Sequence, residues 1–406
     1  MIQTRLATLY VRLFAQMLPA TLVTPAIRPL FVSHHAGDEG AMHAFMAMNM
    51  LGGAIGAPLL GRADDALGNR RALLVLLTFV DALLLGAFAL HVPTPVLLLL
   101  RTVEGAAHVG AASILMGDAA VYSKTHGGRV MGMAAMAVVL AIACGSFFGG
   151  LLLTVDARMP FVVAGLLALL VALTTRERPA ARRVRASAGK LTSLLSREPE
   201  LWVPLGAAFI GRFVIGCLVV TFALFAHRAH DYSDKTIGFL FSLVTVPFAL
   251  ASYPAGRLLD RIPRAAMLVG GALLCAAALA GLGWVPRNAI GVSMLLFGIG
   301  SSMIFVPVIF YGAHVGQASE RATVMALVHG AGCVGMLLGP TVAGIVSALV
   351  RRHTDAITGY RAVFLVACGV TLAWLVGSAG TLARRMREEA AELRRAAESS
   401  PPECNS

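Results

Sequence analysis

The chain has 406 residues, of which 58% are hydrophobic and only 13% are charged. Soluble proteins carry about 25% charged and about 45–50% apolar residues, so this composition indicates a protein that lies in lipid. The formal net charge of +12 does not indicate nucleic-acid binding, because aromatic residues do not alternate with the basic ones. The six cysteines show no Cys-x-x-Cys or Cys/His spacing, and we expect neither disulfides nor a metal or other cofactor.

Twelve apolar segments approach the roughly 20 residues that a membrane-spanning helix needs. In chain order they are 6–31, 41–60, 72–92, 94–117, 130–153, 160–175, 201–226, 236–255, 265–285, 289–312, 322–349 and 361–383. We therefore expect an all-α membrane protein with twelve transmembrane helices.

The basic residues are distributed unequally between the two sides of these spans. With the N-terminus placed in the cytoplasm, 22 of the 33 Lys and Arg residues lie on the cytoplasmic side and 8 on the other. This bias predicts that both termini are cytoplasmic, and we expect the membrane to be a bacterial inner membrane. Residues 176–200 are basic and separate six spans from six, so we expect a cytoplasmic linker against anionic lipid headgroups. Residues 384–406 are expected to be a solvated cytoplasmic tail, with i,i+4 pairs Arg384/Glu388, Arg385/Glu389 and Arg394/Glu398.

A short basic turn occurs twice, after the second and the eighth span, at an offset of 195 residues. Its glycines permit a tight turn, and its aspartates can cap a helix or pair with arginine. The first copy holds Gly61, Asp65, Gly68 and Arg70, and the second holds Gly256, Asp260, Arg261 and Arg264. The repeat indicates two homologous bundles, at 1–175 and 201–383, as in many secondary transporters.

Charged residues inside the third and fourth spans are candidates for chemistry. Arg101, Glu104 and His108 lie at i, i+3 and i+7, so they share one helix face. Charges within a bilayer are costly and usually face a partner or a water-filled cavity. An adjacent arginine and burial compete for the proton of Glu104, which a proton-coupling site can use; a static ion pair is the alternative. Asp81, in the middle of the third span, has either a structural pairing or a place in a proton relay.

Small residues recur at intervals of about four in the fifth and eleventh spans. Such spacing lets helices approach closely. The residues are Gly132, Gly145, Gly149 and Gly150 in the fifth span, and Gly335, Gly339 and Pro340 in the eleventh.

Together these patterns resemble the major facilitator superfamily. The basic turns are similar to its G-x-L-A-D-R-x-G-R-K motif, and Arg101–Gly105 resembles its R-x-x-Q-G motif with Glu104 in place of Gln. The fifth span is similar to the motif of the family's exporters, with Ser146 where Pro is usual. The resemblance implies two pseudo-symmetric six-helix bundles around a central cavity, alternating access, a cytoplasmic latch at the basic turns, and a monomer.

The resemblance also implies a secondary active transporter, and we expect a proton-coupled antiporter that exports a drug, metabolite or siderophore. Its partners would be protons, a small organic substrate and the lipid bilayer. Glu104 would carry the proton, with Arg101 and Asp81 as partners. The candidates for lining the cavity are Arg12, Gln16, Asn49, His108, Arg212 and Tyr311. The alternatives are an importer of an organic anion, held by Arg12 or Arg212, and a sensor without flux. No Walker A loop or catalytic triad is present, so we expect neither an ATP-driven pump nor an enzyme.

Overall fold

A computed structural model describes residues 2–34, 39–67, 70–90, 92–175, 191–315 and 320–399. Every regular element in these ranges is a helix. Gly68 of the first basic turn, residues 176–190 of the predicted linker and residues 400–406 of the predicted tail lie outside the described residues.

The described residues form fourteen α-helices. They are α1 (Ile2–Leu22), α2 (Ile27–His34), α3 (Glu39–Leu67), α4 (Arg70–Ala87), α5 (Thr94–His126), α6 (Gly128–Leu152), α7 (Met159–Thr174), α8 (Leu191–Arg197), α9 (Trp202–His230), α10 (Asp234–Leu258), α11 (Arg264–Leu282), α12 (Ile290–His314), α13 (Arg321–Arg351) and α14 (Ala356–Ser399).

Ten helical stretches in the described part of the chain are long and apolar enough to cross a membrane. Of the remaining predicted spans, α7 is apolar but has only 16 residues, and α4 has 18 residues that include Arg70, Arg71 and Asp81. The outer face of α7 is apolar all the same: Leu166 and Leu173 are 61% and 70% exposed. Exposing such apolar side chains to water costs free energy, whereas exposing them to lipid does not.

The first predicted span, 6–31, is not one continuous helix. α1 ends at Leu22, a 3-10 turn follows at Thr24–Ala26, and α2 begins at Ile27. Pro25 lies in the first turn of the 3-10 segment, and because proline has no backbone N–H it interrupts the α-helical ladder. The regular α-helix of the predicted span is therefore interrupted at Pro25.

The helices pack as two halves with a similar internal arrangement. In the first half α1 packs against α6, α3 against α5 and α4 against α7. In the second half α9 packs against α13, and α11 against both α12 and α14. The extensive contacts between the halves join α3 to α13 and α6 to α10. These two pairs correspond under the 195-residue repeat, since α3 matches α10 and α6 matches α13.

The crossing of α3 and α5 is unusually close. A Cβ added at Gly105 would lie 2.1 Å from the carbonyl oxygen of Asn49, and one at Gly52 would lie 1.9 Å from that of Thr102. Only residues without a side chain allow the two backbones to approach to this distance. The crossing places the side chain of Asn49 directly beside Glu104.

Candidate functional site

Six buried polar side chains from four helices meet inside the first half and form what we call the charge network. They are Gln16 on α1, Asn49 on α3, Asp81 on α4, and Arg101, Glu104 and His108 on α5. None of the six is more than 7% exposed, and the two carboxyl groups are completely buried. The sequence places three of them on one face of α5, and the fold adds the other three.

Glu104 occupies one side of the charge network. Its Oε2 accepts hydrogen bonds from Nη1 of Arg101 over 2.8 Å and from Nδ2 of Asn49 over 2.7 Å. The Arg101 guanidinium also lies over the rings of Phe45 and Phe88, at 4.7 and 5.7 Å from their centroids. Cation–π contacts of this kind stabilise a desolvated guanidinium, so Arg101 keeps its charge in place whether or not Glu104 is ionised.

Asp81 occupies the other side of the charge network. Its Oδ2 lies 2.9 Å from Nδ1 of His108 and accepts a hydrogen bond from Nε2 of Gln16 over 3.2 Å. Among the described residues, Oδ1 of Asp81 and Oε1 of Glu104 have no hydrogen-bond partner. A buried carboxylate oxygen without a partner is unfavourable while it is charged. Each carboxyl group therefore offers one oxygen at which a proton can bind without breaking an existing contact.

The spacing of this cluster also fits a small cation. Ligand atoms of Asp81, Glu104 and His108 lie within 4.8 Å of one another. A metal ion there would be repelled by the Arg101 guanidinium, which is already bound to Glu104 at 2.8 Å. A proton is the cation that the two other oxygens can accept while the contacts to Oε2 of Glu104 and Oδ2 of Asp81 stay in place.

Two aspartates of the basic turns cap helices of the opposite half, and we call them the paired caps. Oδ2 of Asp65 accepts hydrogen bonds from the backbone N and from Oγ1 of Thr323, both over 2.8 Å. Oδ1 of Asp260 accepts a hydrogen bond from the backbone N of Gly128 over 2.8 Å. Thr323 and Gly128 lie in the first turns of α13 and α6, where backbone N–H groups lack partners and the helix dipole favours an anion. Donors and acceptors are both 195 residues apart, so the two contacts are equivalent.

The paired caps lie at one end of the molecule, which we call the basic end. There the glycines of the basic turns allow the backbones of the two halves to approach closely. A Cβ at Gly61 would lie 2.6 Å from the carbonyl oxygen of Ala322, and one at Gly256 would lie 2.6 Å from that of Gly128. Gly127 was not expected from the sequence: it has φ +71°, and a Cβ there would meet Oδ1 of Asp260 at 2.6 Å. The feature that marks Gly127 is its place as the single residue between α5 and α6.

The basic residues of the two turns have different surroundings. Nη1 of Arg70 lies 3.4 Å from Asp64 and 3.3 Å from Asp118, and Nη2 of Arg70 donates to the carbonyl oxygen of Ile114. Arg264 lies over the ring of Phe310, at 4.8 Å from its centroid. Arg261 is exposed. Arg70 thus joins α3, α4 and α5 within the first half rather than linking the halves.

The small residues of the fifth and eleventh predicted spans bring equivalent helices together. A Cβ at Gly145 would lie 1.9 Å from Oγ1 of Thr21, and one at Gly149 would lie 2.1 Å from the carbonyl oxygen of Leu22. In the second half, a Cβ at Gly335 would meet the carbonyl oxygen of Phe209 at 2.1 Å.

The other members of these two motifs divide into those that pack and one that does not. Gly339 and Pro340 pack against Gly216 of α9, and Gly132 packs against Gly256 of α10. Gly150 has nothing within 4 Å of an added Cβ among the described residues. The packing members therefore bring α6 to α1 and α13 to α9, and Gly132 also brings α6 to α10 in the other half.

The six residues expected to line a cavity do not lie together. Gln16, Asn49 and His108 belong to the charge network. Arg12 is half-buried on α1, and Arg212 is half-buried on α9. Tyr311 lies at the basic end, where its hydroxyl donates to Oε1 of Glu389 over 2.5 Å.

The extension of α14 beyond the membrane is not a freely solvated helix. Glu389 is only 5% exposed, and its Oε2 accepts a hydrogen bond from the backbone N of Ala265 at the start of α11. The predicted pair between Arg384 and Glu388 is confirmed, with 3.8 Å between Nε and Oε1. The predicted pair between Arg385 and Glu389 is wrong, because Arg385 instead pairs with Glu200 and Glu388. The sequence signal for this docking was that Leu382, Met386 and Glu389 share one helix face.

A further contact joins the two halves near the middle of the helices. Oγ of Ser113 on α5 lies 2.8 Å from Nδ1 of His329 on α13. The sequence gives no reason to pair these two residues, since they are 216 positions apart.

Comparisons with known proteins agree on the fold. The family model of the Major Facilitator Superfamily matches residues 9–233 and 205–403. The chromaffin granule amine transporter of Rattus norvegicus is 23% identical over 303 residues, which are 71% of this chain and 57% of the rat protein. The chain thus spans somewhat more than half the length of that relative.

Solved structures that resemble this chain include three transporters. The human organic anion transporter MFSD10 (TETRAN) matches with a TM-score of 0.77 and 19% identity, over 91% of this chain and 98% of that one. The proton:xylose symporter XylE matches with 0.67 and 16%, over 91% and 94%. A bacterial homologue of the iron transporter ferroportin, in an outward-facing state, matches with 0.71 and 12%, over 91% and 98%. At these identities the likeness shows the fold alone.

Proposed function

Because the chain belongs to the major facilitator superfamily, and is therefore a transporter and not an enzyme, we propose that it exchanges protons for a small organic compound. It exports that compound across a bacterial inner membrane by alternating access. The charge network carries this proposal, since it provides two buried carboxyl groups that each have an oxygen free to take up a proton.

The proposed topology has twelve spans with both termini in the cytoplasm. The ten long apolar helices are joined by α4 and α7, whose lengths are 18 and 16 residues. The excess of Lys and Arg on one side supports placing the basic end in the cytoplasm. The paired caps then hold the two halves together at the cytoplasmic side.

The protonation cycle follows from the hydrogen bonds of Glu104. When Oε1 takes up a proton the carboxyl group becomes neutral, and its attraction for Arg101 weakens. Asn49, which donates to the same carboxyl group, is on α3, and α3 carries Asp65 about 24 Å further along. α3 also packs against α13 of the other half. Proton binding thus acts on the helix that carries one of the paired caps.

The test is proton movement in everted membrane vesicles whose lumen is acidified by respiration. Three organic probes of different charge would be added in turn: ethidium, chloramphenicol and naphthalene-2-sulfonate. We expect at least one probe to enter the lumen in exchange for protons with the wild-type chain, and Glu104→Gln to abolish the exchange. Glu392→Gln, an exposed carboxyl group on α14, is the matched control and should behave as wild type. Proton exchange that survives Glu104→Gln would overturn the role of Glu104.

The second candidate is an importer in which Arg212, half-buried on α9, holds an organic anion that enters together with a proton. In the same vesicles, an importer would move probe and protons in the same direction. A sensor of the same fold would bind a probe and move neither.

A further inference from the structure

Arg212 is an arginine in the middle of α9 without an acidic partner. Among the described residues no carboxylate lies within ion-pair distance of its guanidinium, whereas Arg101 of the first half is paired with Glu104 at 2.8 Å. A charged side chain at this depth of a membrane protein is costly and usually faces a partner or a water-filled pathway. The second half thus carries a positive charge that its own side chains do not neutralise.

The surroundings hold Arg212 in position. Its guanidinium lies over the ring of Phe305 on α12, at 5.7 Å from the centroid. Its aliphatic stem lies against α13 at Gly332, where an added Cβ would meet Cγ of Arg212 at 3.1 Å. The stem is packed and the charged head is stacked on a ring, so the hydrogen-bond donors of the guanidinium remain available to a ligand.

His329 lies on the same helix as Gly332, one turn earlier. The Ser113 hydroxyl donates to the carbonyl oxygen of Val109 over 2.7 Å. It therefore accepts from Nδ1–H of His329, so Nε2 of the neutral ring is an acceptor and His329 acts as a structural contact. His329 ties α13 to α5 of the first half beside the unpaired cation.

An apolar wall lies next to this group. The rings of Phe305 and Phe248 meet edge to face with centroids 5.7 Å apart. Val139 of the first half and Ile215 of the second pack into the same cluster. Arg212 therefore lies at the border between a polar contact of the two halves and an aromatic, apolar surface that both halves share.

We propose that Arg212 binds the head group of an amphipathic organic monoanion, whose apolar body lies against Phe305 and Phe248. The proposal rests on the proposed transport function and names its substrate class. Arginine presents a planar pair of donors that suits carboxylate and sulfonate oxygens, and one unpaired cation suits one negative charge. An amine substrate would be repelled at this position.

The site is also placed to communicate with the charge network. Ser113 is on α5, five residues after His108, which is about 8 Å along the helix. The Ser113–His329 contact thus joins α13, whose Gly332 packs against Arg212, to the helix that carries the charge network.

The test measures binding to the purified full-length protein without a gradient. Three probes share one ring system: naphthalene-2-sulfonate, its neutral sulfonamide, and 2-naphthylmethylammonium. We expect the sulfonate to bind wild type at least tenfold more tightly than the other two, as measured by isothermal titration calorimetry. Arg212→Gln should remove that preference, and Arg212→Lys should keep part of it. Arg352→Gln, an exposed arginine at the end opposite the basic end, should leave binding unchanged.

Several outcomes would overturn the proposal. They are equal binding of sulfonate and sulfonamide, no binding of the sulfonate, and an unchanged preference in Arg212→Gln. The elution volume and melting temperature of each variant show whether it is folded, and Arg212→Lys keeps the charge if Arg212→Gln does not fold. Anion binding is measured on the purified protein without a gradient, and proton coupling is measured in vesicles, so loss of the one and loss of the other are separate results.

Discussion

Both buried carboxyl groups of the charge network accept all their hydrogen bonds at one oxygen and leave the other free. The sequence alone predicts that Arg101, Glu104 and His108 share a face of α5, because that follows from helix periodicity. The links from His108 to Asp81 and from Glu104 to Asn49 join different helices, so periodicity within one helix cannot give them. Tyr311 shows the same limit, since its partner Glu389 reaches it only once α14 has docked.

The paired caps give a prediction at the scale of a single residue. Asp260→Ala removes the acceptor of the Gly128 backbone N–H, and a hydrogen bond to a charged group is worth about 1.5–3 kcal/mol. We expect amide exchange over the first turn of α6 to accelerate by roughly 10- to 150-fold. Hydrogen–deuterium exchange followed by mass spectrometry measures this change.

Asp156→Ala is the control for Asp260→Ala. Oδ1 of Asp156 accepts from the backbone N of Arg158 over 2.7 Å, inside one exposed loop away from the paired caps. This variant should leave exchange at Gly128 unchanged. If Asp260→Ala also leaves amide exchange at Gly128 unchanged, Asp260 does not hold the two halves together.

At the scale of the helices, glycine positions decide which elements can touch. The sequence predicts from spacing that the fifth and eleventh spans approach neighbours closely, but the identity of the neighbour comes only from the fold. α6 meets α1 at Gly145 and Gly149, and α13 meets α9 at Gly335 and Gly339. The break between α1 and α2 was foreseeable at Pro25, whereas the reach of α14 to Ser399 was not.

Two adjacent glycines of α6 give a matched test of this packing. Gly149→Ala would place a Cβ 2.1 Å from the carbonyl oxygen of Leu22, so overpacking should cost about 1–3 kcal/mol. Gly150→Ala meets nothing within 4 Å among the described residues and should be neutral or stabilise by up to about 1 kcal/mol. Melting temperatures of the two purified variants measure the difference. Equal melting temperatures would show that α6 and α1 are not in close contact.

At the scale of the whole molecule, the 195-residue repeat predicts the two halves, and charge bias predicts their orientation. Neither pattern identifies which helices meet across the middle. The pairs that meet are α3 with α13 and α6 with α10. The surfaces of the two assembled bundles determine this pairing. The unpaired Arg212 belongs to this scale too, because its lack of a partner is visible only once every nearby helix is in place.

The charge balance of the transport cycle distinguishes export from import of a monoanion. If a proton enters while a monoanion leaves, two charges cross in the same electrical sense. One charge is worth about 2.3 kcal/mol per 100 mV, so the two together are worth about 4.6 kcal/mol, on the order of a thousandfold gradient. A proton and a monoanion that enter together carry no net charge. We expect the rate of naphthalene-2-sulfonate flux in proteoliposomes to depend on a valinomycin-imposed potassium potential.

The same liposomes, held at a fixed pH difference, also test the contrary prediction. A flux that is equal at potentials of either sign would indicate electroneutral symport. Arg212→Gln liposomes serve as the control for leakage of the probe through lipid.

The paired caps have one more consequence. Each half supplies one carboxylate and receives the other at a helix start, in contacts related by the same offset of 195 residues. A surface patch that meets its own counterpart in this way is the isologous interface of a two-fold dimer. The first half alone already holds an acceptor, Asp65, and a donor, Gly128. The fused chain is thus built like a homodimer whose protomers have been joined end to end and have since diverged at Arg101, Glu104 and Arg212.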